Sequence, residues 1–298
     1  MNKLALLISV FCFVSFLGNA QTYIRDKQNV YGTWTKSGSP YIVQGEAIVP
    51  VGRTLTIEPG TVIKFKTGYN DDYSDKNFDL GFLRVNGNLL AVGTSESLIS
   101  FQGHGNGKYW GGIIIDNQKN DFLMQFCYFE GGYDIYNSRK KSFNSSYGVL
   151  SFHSSSGSIK NCIFYKNQFW TIFTDNSNLE IDQCTFIYNL KYDIYGHGSG
   201  SKLKIKNSIF LKTNKNAQIN EITASEFRFL YCFTNGTFDD NTESSKILFK
   251  DNPEISDIKN GDFSLNPNSP CIAAGENGTD IGAIPYKKST PENFNFTP

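Results

Sequence analysis

The sequence predicts an all-β protein wound as a parallel β-helix, and three observations support this. First, one phrase recurs: Ile159, Cys162, Phe164 and Asn167 are answered by Ile181, Cys184, Phe186 and Asn189, each 22 residues later. A looser copy begins at Ile205, Cys232 follows Ser208 by 24 residues, and Met124 to Phe129 carries the same wording upstream. A repeat of this length marks stacked units, none of which can bury its hydrophobic face alone. Second, the apolar residues of each copy fall close to alternate positions in runs too short for a helix, which is strand spacing. Third, Gly, Pro and Asn separate the short runs, as turns require. Each repeat therefore holds two or three strands and makes one coil, with coils about 4.8 Å apart and equal residues stacked into ladders.

Taken in order, the chain opens as a secretory signal peptide at residues 1–20. Lys3 precedes an apolar run from Leu4 to Leu17, and Gly18 and Ala20 supply small residues before the expected mature start at Gln21. The run is too short to favour a membrane span, so no transmembrane segment is expected in the mature chain. At about 23 residues per coil the remainder gives roughly 11 coils, a rod on the order of 50 Å long. Lys and Arg total 28 and Asp and Glu also total 28, with no concentrated basic face, which argues against nucleic acid as a partner. Cys127, Cys162, Cys184, Cys232 and Cys271 follow the leader. Four of them share one position of the repeat, so Cys162 and Cys184 come within disulfide reach by Cα distance, and a buried ladder of free thiols is the favoured reading.

The first coils run through Val43 to Val49 and Leu55 to Ile57. Gly52, Thr54 to Ile57, Pro59 and Gly60, followed by Val62 to Phe65, resemble the opening signature of secreted right-handed parallel β-helix proteins of the pectate lyase-like superfamily. The Asn-Cys-x-Phe-x-x-Asn phrase, Val85 to Leu89, Trp110 to Ile113, and Gly261 to Ala283 resemble further wording of the same proteins. The resemblance implies a single-stranded right-handed β-helix with capping segments, working outside the cell or at its surface. It matches no specific enzyme family, and many unrelated activities share the scaffold.

Residues 69–79 form a polar insertion whose Asp71, Asp72, Asp75 and Asp79 have the chemistry to ligate Ca²⁺, although their spacing fits no standard loop and turn-forming surface residues have the same composition. Otherwise no cofactor is expected. A second insertion carries Arg139, Lys140 and Lys141, suited to an acidic polysaccharide or simply to solvent. From 249 to 286 the register loosens into a closing segment, expected to cover the open strand edges of the last coil. Residues 287–298 read as a loose tail, and 21–286 as the β-helix domain.

Chemistry is expected on an outward ladder. If Ile135, Ile172 and Ile194 point inward, alternation sends Asp134, Thr171 and Asp193 outward, together with Tyr136, Phe173 and Tyr195. Aromatic rings offer stacking surface to sugars and carboxylates accept their hydroxyls, so these residues form the candidate ligand face, although self-stacking alone would also explain them. Asp134 and Asp193, near 10 Å apart, reach the upper edge of the spacing for inverting glycoside hydrolysis and are the candidate catalytic pair. Gly196-His197-Gly198 and Lys204 to Lys206 resemble a polygalacturonase element, but the accompanying Asn-Thr-Asp and Asp-Asp elements are absent, so His197 reads as a turn residue. The expected function is binding of a polysaccharide, a cell-surface glycan or another surface component without catalysis. The alternatives are a polysaccharide lyase or glycoside hydrolase, and a purely structural or adhesive protein.

Overall fold

A computed structural model describes residues 21–68, 80–106, 109–116, 122–133, 148–198, 200–214, 219–222, 226–239 and 242–287. Residues 1–20, the acidic insertion, the basic insertion, Asp134, Tyr136 and the residues beyond 287 lie outside them.

The chain is a right-handed parallel β-helix built from three long sheets. Its first coil contributes Thr22–Ile24 to sheet A, Gln28–Asn29 to sheet B and Gly32–Trp34 to sheet C, and the order A, B, C then repeats. Among the described residues sheet A has ten strands, sheet B eight and sheet C nine, each strand pairing with its equivalents one coil away. The ten described strands of sheet A mark ten coils, in line with the roughly 11 that the repeat length predicts.

The ladders are those the repeat predicts. Ile159 pairs with Ile181, and Phe164 with Phe186. Inside sheet A, Phe101, Phe129, Phe164, Phe186 and Phe210 stack ring on ring at centroid spacings of 4.8, 4.9, 4.7 and 4.7 Å. These spacings equal the distance between coils, so strand pairing and ring stacking reinforce each other. Each fully buried ring contributes roughly 1.5–3 kcal/mol by burial alone.

Cys127, Cys162, Cys184 and Cys232 stand at the corner from sheet C to sheet A, with Ser208 filling the place between the last two, and all are buried free thiols. Burial pushes the Cys162 and Cys184 thiols far above their ordinary range. The residue before each cysteine turns the chain by one left-handed step: Asn161 has φ 51°, Gln183 51° and Tyr231 53°. Asparagine tolerates that conformation and the other two do not favour it, so the stacked corner imposes it.

The closing segment lies elsewhere than expected. Leu248–Phe249 still pairs with sheet A, but Ile255–Asp257 and Asp262–Leu265 form a separate antiparallel hairpin, and the chain then runs back along the outer flank of sheet A. Phe263, Cys271, Ile281 and Ala283 cluster against Ile163, Ile187, Ile209 and Leu211. Polar anchors fix the path: Asn161 Nδ2 donates to Ala283 O at 3.1 Å, Ala283 N to Thr185 Oγ1 at 2.7 Å, and Gly282 N to Asn207 O at 2.8 Å. Lys287 reaches Glu96 at 3.2 Å. The physical reason is the outward Ile and Leu of these sheet A strands, whose apolar surface would otherwise face water. Among the described residues, no helix is long and apolar enough to cross a membrane.

Candidate functional site

The outer face of sheet B gathers the side chains with the most chemistry. Its strands include Phe82–Val85, Ile113–Asp116, Leu150–His153, Ile172–Asp175 and Ile194–His197. Leu83, Ile113, Leu150, Ile172 and Ile194 point into the core and are at most 1 % exposed. Alternation then builds two outer rows. One runs Arg84, Ile114, Ser151, Phe173, Tyr195. The other, two residues further along each strand, runs Asp116, His153, Asp175, His197.

Arg84 closes one end of the second row. Its Nε donates to Glu46 Oε1 at 2.6 Å and its Nη1 to Asp116 Oδ2 at 2.9 Å, and these two carboxylates raise its pKa against the opposing effect of burial. His153 Nδ1 stands 4.0 Å from Asp175 Oδ2. Burial lowers the His153 pKa, and Arg84 pushes the same way, although Asp116 and Asp175 pull it up. Its ring also packs on Phe173, with centroids 5.5 Å apart.

Beside these rows lies a run of half-buried aromatic rings at the corner from sheet A to sheet B. Tyr109 stacks on Tyr133 at 5.0 Å, Tyr133 meets Phe169 at 5.5 Å, Phe169 meets Trp170 at 4.6 Å, and Trp170 stacks on Tyr195 at 4.2 Å. Phe173 stacks on Tyr195 at 5.6 Å and is almost covered. The result is a ridge of rings along the rod axis with hydrogen-bonding groups on its flank.

Of the expected ligand residues, Phe173 and Tyr195 fall on this face. Asp193 does not, and its outward placement is corrected: the carboxylate is buried and ion-paired with Lys212 at 2.8 Å. Asp193 precedes its strand and sits in the corner, where strict alternation does not hold. There Asn167 and Asn189 form a buried ladder, with Asn167 N donating to Asn189 Oδ1 at 2.9 Å and Asn189 Nδ2 to Asp193 Oδ1 at 2.9 Å. In the next coil Lys212 takes over, its ammonium donating to Asn189 O at 3.3 Å and Lys191 O at 2.6 Å. Asp193 is thus a structural counterion, out of reach of a surface ligand. Thr171, also expected outside, is fully buried in the same corner.

Asp134, Tyr136, Asp71, Asp72 and Asp75 lie outside the described residues. Among those described, no group of three or more His, Cys, Asp or Glu is disposed to hold a metal ion. His197, expected as a turn residue, closes the strand Ile194–His197 and stands in the second row. The residues that sequence reasoning missed are Arg84, Asp116, His153, Asp175 and Trp170. A signal for three row members was present, since His153, Asp175 and His197 are spaced by 22 residues each. Asp116 is displaced from that period by an insertion.

The site therefore defines a β-helix with an aromatic and carboxylate–imidazole face along one sheet. Neither the protein-family models nor the curated proteins compared with this chain give a match.

Proposed function

We propose that this is a secreted or surface-located β-helix protein that binds a glycan along the outer face of sheet B without cleaving it. The observation that carries the reading is the half-exposed ring series ending in Trp170 and Tyr195 on the sheet whose strands end in Asp116, His153, Asp175 and His197, Tyr195 standing two residues before His197. Flat rings receive the C–H faces of sugars, and carboxylates and imidazoles exchange hydrogen bonds with hydroxyls. An axial ridge of this kind suits an extended chain better than a compact ligand. The extracellular setting rests on the leader at residues 1–20 and on the resemblance to secreted pectate lyase-like proteins.

The test is retention on immobilised glycans from a panel of neutral, acidic and amino-bearing polymers. Trp170→Ala and Tyr195→Ala should each weaken retention about tenfold, as loss of a central aromatic anchor does. If both variants bind as the wild type does, the face is not the site.

A second reading, cleavage of the polymer, draws on Asp116 and Asp175 flanking His153 in one row. The two carboxylates are two coils apart, about 10 Å, near the upper edge for inverting hydrolysis. New reducing ends, or absorbance from an unsaturated product, abolished in Asp175→Asn with binding retained, would establish it over simple binding.

A further inference from the structure

We infer that the ligand of the sheet B face is a cationic glycan, a polymer bearing free amino sugars, and not a polyuronate. This rests on the glycan-binding reading above and adds the charge class of the ligand.

The inference comes from how charge is distributed over the rod. The whole chain balances 28 basic against 28 acidic residues. The strands of sheet B do not: they carry Glu46, Asp116 and Asp175 against Arg84 alone among the described side chains. That one guanidinium is already shared between Glu46 and Asp116. By contrast, the outer face of sheet C mixes both signs and pairs them internally. Lys206 meets Asp182 at 3.4 Å and Glu180 at 3.5 Å, Arg228 meets Glu243 at 3.0 Å, and Lys202 meets Glu226 at 3.7 Å. Excess negative charge is therefore concentrated on the face that also presents the aromatic ridge.

Asp175 is the group best placed to meet a ligand. Its side chain is 34 % exposed, it lies between His153 and His197 in the row, and its Oδ1 accepts from Asn176 Nδ2 at 3.0 Å. A protonated sugar amine brings three donors and a positive charge to such a carboxylate, and the Tyr195 ring, in the adjacent row of the next strand, attracts a cation at its face. A uronate would bring a second negative charge to Asp116 and Asp175 with no unshared cation on these strands to receive it.

The experiment measures binding of the whole mature chain to three probes: glucosamine oligomers with free amines, the same oligomers fully N-acetylated, and polygalacturonate. The expected result is that free-amine oligomers bind about tenfold or more tightly than their N-acetylated forms, that salt weakens this preference, and that polygalacturonate does not bind. Asp175→Asn, checked for an unchanged thermal transition, should shrink the ratio between free-amine and N-acetylated oligomers. Equal affinity for both oligomers, an undiminished ratio in Asp175→Asn, or binding of polygalacturonate overturns the charge assignment while leaving glycan binding in place. No binding of any glycan, in this trial and on the wider panel, removes both readings together.

Discussion

Asp193 and Lys212, in adjacent coils, form an ion pair of 2.8 Å with side chains only 1 % and 3 % exposed. The pair ends the asparagine ladder of the corner between sheets A and B, and its surroundings make both partners necessary. Lys212→Met should cost about 3–5 kcal/mol in unfolding free energy, because it leaves a buried carboxylate without its counterion.

The same pair has a pH signature. Burial raises the Asp193 pKa, against the pull of Lys212 and Asn189, and removing Lys212 raises it further. A carboxyl whose folded pKa exceeds its unfolded value favours the fold at low pH, and that contribution is lost as pH rises through the folded value. Lys212→Met should therefore be less destabilised relative to wild type at about pH 5 than at about pH 8. Denaturant midpoints at the two pH values measure it, and an equal deficit at both would mean that Asp193 is already neutral in the native rod.

The phenylalanine stack predicts where the rod is least tolerant. Phe164 is fully buried, and its ring lies 4.9 Å from Phe129 and 4.7 Å from Phe186, so Phe164→Ala should cost about 3–5 kcal/mol and Phe164→Leu less. Because each coil contacts only its neighbours, the loss should show as a broadened transition as well as a lower midpoint in calorimetry.

The thiol ladder predicts chemical silence. Cys127, Cys162, Cys184, Cys232 and Cys271 are buried, and burial pushes Cys232 and Cys271 up to about 12. A thiol reagent should not label them until denaturant is added, and should then label all of them. Cys184→Ser should change stability by less than about 1 kcal/mol, since Ser208 already occupies the equivalent place and its hydroxyl donates to Lys206 O at 2.8 Å, as the Cys184 thiol does to Asp182 O at 3.4 Å.

Removing residues 253–298 should expose Ile163, Ile187 and Ile209 on the flank of sheet A. Dye binding to apolar surface and concentration-dependent association are the expected readouts, with the sheets retained by circular dichroism. A truncated chain that stays monomeric and binds no dye would show that the closing segment does not shield this flank.

The sequence by itself determined the solenoid, because a ladder is a periodic object: Cys162 over Cys184 and Phe164 over Phe186 follow from equal residues 22 positions apart. It also placed Phe173 and Tyr195 on an outer face, since alternation holds within a strand. It failed at the corners, where a single left-handed residue or a one-residue change of register redirects the next side chain. That is why Asp193 is buried against Lys212; the path of the closing segment follows instead from the outward apolar residues of sheet A, Ile163, Ile187, Ile209 and Leu211. Tertiary structure alone brought Glu46, Arg84 and Asp116 together. Insertions set those residues 38 and 32 positions apart, and only winding the chain restores them to neighbouring coils.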